Sequence, residues 1–148
     1  MKNKIPKIKL RLINNKDLKF TYQLYNNNVL EKKFFSKKPV TFEEHKNWFK
    51  EKLKEKFFFI CLEKKKIGYV RFEKITKKNL SVSIAVDKKY LRKGYGKLML
   101  LKSLNKKRIS KYNIYAFVKK NNSISKKFFL NSGFKFVKNN RYMIKARA

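Results

Sequence analysis

The chain has 148 residues, room for one domain, and 43% of them are hydrophobic and 16% aromatic. That supports a buried core and excludes a disordered basic tail. Lys and Arg number 42 against 9 Asp and Glu, a formal charge of +33, so the protein should attract anionic small molecules and bind polyanions non-specifically at low salt. Of the basic residues 36 are Lys, and the chain is also rich in Asn, Ile and Phe. All four have A/T-rich codons, so genomic bias is an alternative origin of the charge, and nucleic-acid patches draw more on Arg. The lone Cys61 and lone His45 exclude a disulfide framework, multi-cysteine metal sites and multi-histidine zinc chemistry, and leave little for a Ser-His-Asp relay. No apolar run approaches the roughly 20 residues of a membrane helix, and no secretory signal opens the chain. A cytoplasmic protein without membrane insertion or metal is expected.

In chain order, Ile8, Leu10 and Leu12 alternate with Lys9 and Arg11, the period of a strand. Residues 14–17 can cap a helix carrying Leu18, Thr21, Tyr22 and Tyr25. Thr41 and Glu44 have the spacing of a capping box, opening a helix with Phe42, His45, Phe49 and Leu53 on one side and Trp48 beside them. Residues 57–62 and 67–72 read as a hairpin turning at 63–66, with Cys61 in its core. Residues 80–86 form the next strand, apolar at Leu80, Val82, Ile84 and Val86 and small at Ser81, Ser83 and Ala85. A helix with Tyr95, Leu98, Leu101 and Leu104 follows, then a strand over 113–118. A short helix carries Ile124, Ser125, Phe128 and Phe129. Gly133 falls where a left-handed cap belongs, and a hairpin over 134–137 and 142–146 closes the chain. The order β α α β β β α β α β β predicts one α/β (α+β) domain over residues 1–148 with a mixed sheet.

Only four glycines are present, and two, Gly94 and Gly96, lie between a strand and a helix. Glycine there allows a tight turn and close backbone approach to a ligand. The free N–H groups of the helix start, with Arg92, Lys93 and Lys97, make an anion cradle. The spacing fits neither a Rossmann turn nor a Walker A loop.

A second stretch, residues 118–134, places Asn122, Ser125, Phe129, Gly133 and Phe134 at the spacings of Asn-x-x-Ala-x-x-x-Tyr-x-x-x-Gly-Phe. With the glycine turn before it, the chain resembles the GCN5-related N-acetyltransferases (GNAT) over nearly its whole length. The resemblance implies a mostly antiparallel sheet of about seven strands, splayed at the fourth and fifth and flanked by about four helices, and an acetyl-coenzyme A cosubstrate. It assigns the backbone of Ile84, Ala85 and Val86 to pantetheine and that of Leu91, Arg92, Lys93, Gly94, Tyr95, Gly96 and Lys97 to pyrophosphate. Asn122, Lys126 and Phe129 complete the cofactor set, although Asn122 reads equally as a plain helix cap.

Phe129 stands where the family often has a proton-donating tyrosine, and phenylalanine donates no proton. Tyr95, Tyr115 or a water could serve instead, or the thiolate could leave unaided; a catalytically inactive relative is a further alternative. His45, Glu43, Glu44 and Glu73 are candidate bases, His45 for its pKa near neutrality, with a structural histidine as the other reading. A positive field could also deprotonate the amine without a base.

Residues 39–48 resemble the subgroup acetylating amino groups on nucleotide-linked sugars, as in pseudaminic-acid biosynthesis. That implies an anionic nucleotide-sugar acceptor held by Tyr25, His45 and Lys74, although Leu24, Tyr25 and Asn26 stand where the subgroup commonly has Trp-Arg-Asn, so its arginine is missing. A protein N-terminal or ribosomal-protein acetyltransferase is the enzymatic alternative, and a non-catalytic polyanion- or RNA-binding domain the non-enzymatic one. Polycationic aminoglycosides would be repelled. The oligomeric state is left open.

Overall fold

The computed structural model describes residues 7–30 and 38–147. Strands β1 (Lys9–Leu12), β2 (Phe58–Glu63), β3 (Lys65–Lys74), β4 (Asn79–Val86), β5 (Asn113–Phe117), β6 (Lys135–Lys138) and β7 (Arg141–Ile144) form one sheet. Its order is β1-β2-β3-β4-β5-β7-β6. Every neighbouring pair is antiparallel except β4 with β5. Helices α1 (Leu18–Leu30) and α2 (Phe42–Glu55) precede β2. α3 (Tyr95–Leu104) and α4 (Lys107–Ser110) connect β4 to β5, and α5 (Ser123–Asn131) follows β5. Among the described residues no helix is long and apolar enough to cross a membrane.

Each face of the sheet covers its own core. Phe57, Phe59, Cys61, Val70, Phe72, Leu80 and Val82 pack with Tyr95, Met99, Leu100 and Leu104 of α3. Phe58, Ile60, Tyr69 and Ala85 pack with Leu24 of α1 and Phe49 of α2. A central strand covered on both sides is apolar at every position, which explains the unbroken run at 57–62. Burial pushes the Cys61 thiol up to about 12, so it stays a neutral core group.

Helix starts follow the caps. The Thr41 hydroxyl accepts from the Glu44 N–H and the Glu44 carboxylate from the Thr41 N–H, both at 3.1 Å. Asn14 and Asp17 make a second box that leads into α1. Gly133 has φ +96, as a left-handed cap requires.

Five α-helices stand where about four were expected, because α4 is a single turn too short for periodicity. Its Ile109 is fully buried, and Arg147 donates to the Ile109 and Leu104 carbonyls at 3.2 Å, taking acceptors that helix ends leave open. The β2–β3 turn is tighter than expected: β3 begins at Lys65, with Lys64 left-handed at φ +65.

Two buried groups set the response to acid. Burial, reinforced by the charge of Arg71, holds the His45 imidazole down to about 4 against an opposing hydrogen bond to the Leu18 carbonyl. Burial pushes Asp17 up, but hydrogen bonds from Arg11, Lys66 and the Asn14 N–H outweigh it and hold the carboxyl at about 2. Both folded values lie below the ordinary 6.5 and 3.8, so the unfolded chain binds more protons. The stability from His45 is complete above pH 6.5 and lost as pH falls through 4; that from Asp17 is complete above 3.8 and lost toward 2. Melting temperatures followed by circular dichroism should therefore fall in two stages on acidification. His45→Gln should flatten the upper stage and leave the lower one.

Candidate active site

β4 and β5 pair only at Asn79–Asn113, Leu80–Ile114 and Ser81–Tyr115, and then diverge. From residue 82 onward the edge of β4 toward β5 lies open, and a cleft of about 770 Å³ fills the gap. Because the gap passes through the sheet, the cleft meets both faces. Ile84, Val86, Tyr90, Leu91, Phe128 and Phe129 line it on the α3 and α5 side, whereas Asn28, Glu73, Ser81 and Ser83 line it on the α1 side.

The glycine turn forms one wall. Arg92 and Gly94 both have positive φ, +61 and +83, so the loop turns sharply into α3. Gly94 is the N-cap of α3 and offers no side-chain cap, whereas Thr41 caps α2 and Asn122 caps α5. The first N–H groups of α3 are thus left for a ligand, beside Arg92 and Lys97. A Cβ at Gly94 would meet nothing within 4 Å, so glycine serves the backbone conformation there; a Cβ at Gly96 would lie 3.4 Å from the Phe128 ring.

The sequence model of the Acetyltransferase (GNAT) family matches residues 21–134, well over half of the chain. The chain belongs to the GNAT acetyltransferase family. A sequence search of curated proteins finds no match, but solved structures carry the same fold. The protein yncA of Salmonella typhimurium, solved with its cofactor acetyl-CoA, superposes with a TM-score of 0.80 at 16% identity, over 96% of this chain and 95% of that one. An N-acetyltransferase of Staphylococcus aureus Mu50 gives 0.78 at 19%, over 95% and 99%. Spermidine N-acetyltransferase of Vibrio cholerae, in complex with CoA and spermine, gives 0.78 at 19%, over 94% and 95%.

A GNAT enzyme is an acetyl-CoA-dependent N-acetyltransferase, and the cleft residues fit that cosubstrate. An open β4 edge can pair with amides of an extended chain. Uncapped N–H groups and cations suit a pyrophosphate, and the aromatic wall suits an apolar arm. Of the residues assigned to the cofactor, Ile84, Val86, Leu91, Arg92, Gly94, Tyr95, Gly96, Lys97, Asn122 and Phe129 line the cleft. Ala85, Lys93 and Lys126 do not: the Ala85 side chain belongs to the core under α1 and α2, and the Lys126 ammonium donates to the Lys120 carbonyl. Asn122 is both the α5 cap and a cleft residue. Its Oδ1 accepts from the Ser125 N–H at 3.0 Å, so Nδ2 is what it offers a ligand.

The candidate bases separate. Glu73 is the one carboxylate among the described lining residues. Glu44 is spent on its capping box, and His45 is buried, 2.9 Å from the Thr21 hydroxyl. Burial favours neutral imidazole at that site, and the ring lies outside the cleft wall. The Tyr95 hydroxyl donates to Glu63 at 2.9 Å, which raises its pKa. Lys74 lies over the Phe57 ring on the other face of β3 from Glu73, and Tyr25 donates to the Lys38 carbonyl at 3.2 Å; neither lines the cleft.

Sequence reasoning missed Asn28, Tyr90, Lys119 and Phe128 of the wall, and Gly68 behind it. A Cβ on Gly68 would come 2.2 Å from the Ala85 carbonyl. Alternation around an isolated glycine in a strand was the available signal.

Gly96→Val should abolish acetyl-CoA binding in calorimetry while circular dichroism stays native, because the branched side chain fills the space beside Phe128 and Val86. Phe129 lies 5.1 Å from both Phe128 and Phe134 ring centres, at the cleft wall. Phe129→Tyr should keep acetyl-CoA affinity and raise kcat, by up to the roughly 10²–10⁴-fold of general acid catalysis. Phe129→Ala should lower the rate through lost packing; a fully active Phe129→Ala enzyme would place the reacting centre elsewhere.

Proposed function

We propose that this GNAT enzyme acetylates the primary amine of a small molecule entering from the α1 side, with Glu73 receiving the ammonium proton. The observation that carries this is the distribution of charge along the cleft: Arg92, Lys97 and Lys119 line the end near α3 and α5, and Glu73 lines the opposite part with Asn28, Ser81 and Ser83. Bound acetyl-CoA would supply the acetyl group as a thioester: the amine nitrogen would bond to the acetyl carbon as its C–S bond breaks, and CoA would leave as the thiolate. The chain's own residues do the rest. Glu73 attracts the ammonium and takes its proton, leaving a neutral nitrogen able to attack. Asn28 donates its Nδ2 to the Leu24 carbonyl at 2.7 Å, which leaves Oδ1 to accept a second N–H. The apolar wall of Ile84, Val86, Phe128 and Phe129 excludes water and disfavours hydrolysis.

The acceptor is favoured as a compact amine. The +33 field opposes a cation at long range, but screening at physiological salt acts beyond about 8 Å, so the last approach depends on the cleft's own groups, Glu73 with its neighbours Arg71 and Lys52 among them. The Vibrio cholerae structure, with spermine bound, makes a polyamine a worthwhile member of the test set. An anionic nucleotide-linked amino sugar is the second reading, favoured by the net charge, although its expected holders His45 and Lys74 lie outside the cleft wall.

Mass spectrometry of acetyl transfer from acetyl-CoA should be run against n-butylamine, spermidine, a UDP-linked 4-amino sugar and Ala-N-terminal peptides. A small primary amine should be acetylated with the highest kcat/KM. Glu73→Gln should lower that kcat/KM by roughly 10²–10⁴-fold, the range of general base catalysis. Preferential acetylation of the peptides, or an undiminished Glu73→Gln enzyme, would overturn the reading.

A further inference from the structure

Arg71 is a cation only 4% exposed, and neither core packing nor a pyrophosphate cradle calls for a guanidinium at its place. Strand alternation sets it between Tyr69 and Glu73 on the α1 and α2 face of β3, opposite Phe58 of β2 and Ser83 of β4. The small Ser83 leaves space above it. The guanidinium carbon lies 5.2 Å from the centre of the Trp48 ring of α2. One nitrogen donates to Glu73 Oε1, another hydrogen bond joins the guanidinium to the Tyr69 hydroxyl, and Nε is buried without a partner. Lys52 of α2 approaches the same Glu73 oxygen at 3.8 Å, with its ammonium 5.6 Å from the same indole. Tyr25 of α1 and His45 of α2 complete the titratable groups close enough to feel Arg71, and His45 is neutral there.

We infer that Arg71 is a positioning residue for the Glu73 carboxylate, held in place by Trp48. The inference rests on the reading of Glu73 as the proton acceptor. A half-exposed glutamate near the end of a strand has several rotamers, and orientation is worth much of a proton transfer. A planar guanidinium both stacks on an indole and presents a fixed N–H to a carboxylate, which a lysine ammonium cannot reproduce. A buried guanidinium is also costly to desolvate, and its carboxylate partner offsets part of that cost. Arg71 therefore restrains the carboxylate from behind, without touching the acceptor.

The test compares Arg71→Met, Arg71→Lys, Glu73→Gln and the Arg71→Met/Glu73→Gln double variant, with n-butylamine as acceptor and each fold verified by thermal melting. Emission from Trp48, the only tryptophan, reads the stack directly. Arg71→Met should lower kcat/KM for the amine at least tenfold, leave the acetyl-CoA KM unchanged and shift the Trp48 emission. Arg71→Lys should fall between it and the parent, and Glu73→Gln should leave the emission near that of the parent. The double variant should be no slower than Glu73→Gln alone. If the Arg71→Met loss multiplies in full onto the Glu73→Gln loss, Arg71 acts independently and the inference fails. If Glu73→Gln is impaired but both Arg71 variants match the parent, the positioning role fails while the Glu73 reading stands. If Glu73→Gln is fully active, that reading fails first and takes the positioning role with it. Should Arg71→Met not fold, Arg71→Lys decides: a parental rate overturns the inference, and a loss absent in the Glu73→Gln background supports it.

Discussion

Hydrogen bonding between β4 and β5 stops after three residue pairs, and the rest of the architecture depends on that stop. A sheet that stayed paired would have a continuous core on each face and no passage between them. Once the strands part, backbone groups of β4 are left without a strand partner, and an edge of that kind demands one. The parallel pairing makes the geometry possible, since the connection through α3 and α4 begins at the far end of β4 and places the uncapped start of α3 beside the open edge. Aromatic side chains of α5 wall the gap, and Glu73 closes it from the other face of the sheet. Cofactor chemistry and acceptor chemistry thus meet across the thickness of one sheet.

The two faces handle charge differently. On the α3 and α5 side the cations of the cleft wall, Arg92, Lys97 and Lys119, are exposed or lie at the mouth, where water and salt moderate them. On the α1 and α2 side each of two carboxylates gathers two cations: buried Asp17 with Arg11 and Lys66 at 2.7 Å each, and half-exposed Glu73 with buried Arg71 and with Lys52. With only 9 acidic residues against 42 basic ones, one of those acids, Asp17, is fully buried, where low dielectric makes a carboxylate most effective. Burial and the charge of Arg71 favour the neutral imidazole of His45 on the same side.

Much of the fold was legible because local signals agreed with one another. Alternation gave the strands at 8–12 and 80–86 and short apolar runs the others, the Thr41 and Asn14 caps gave two helix starts, and the glycine turn with the stretch from Asn122 to Phe134 gave the cofactor wall. The missing pieces were non-local. Nothing in the spacing of α2 says that His45 faces Thr21 rather than the cleft, because both are sides of one apolar stripe. Glu44 read as a possible base although its capping box already used the carboxylate. Lys74 and Glu73 are adjacent in sequence and therefore point to opposite faces of β3, and of the two only Glu73 lines the cleft. Asn28 and Arg71 look like ordinary helix and strand residues until the strands part beside them.

Gly68 gives the open edge a further property. It pairs with Val86 in the antiparallel register and lets the Ala85 carbonyl approach to where any side-chain carbon would collide. The depth at which β4 lies is therefore set by an atom that β3 lacks. A wall positioned this way is stiff, since β4 is already seated against β3 and cannot retreat to admit a thicker ligand. Adjustment to acceptors of different size must then come from the opposite wall, where α5 is joined to the sheet through side chains rather than a ladder of backbone hydrogen bonds.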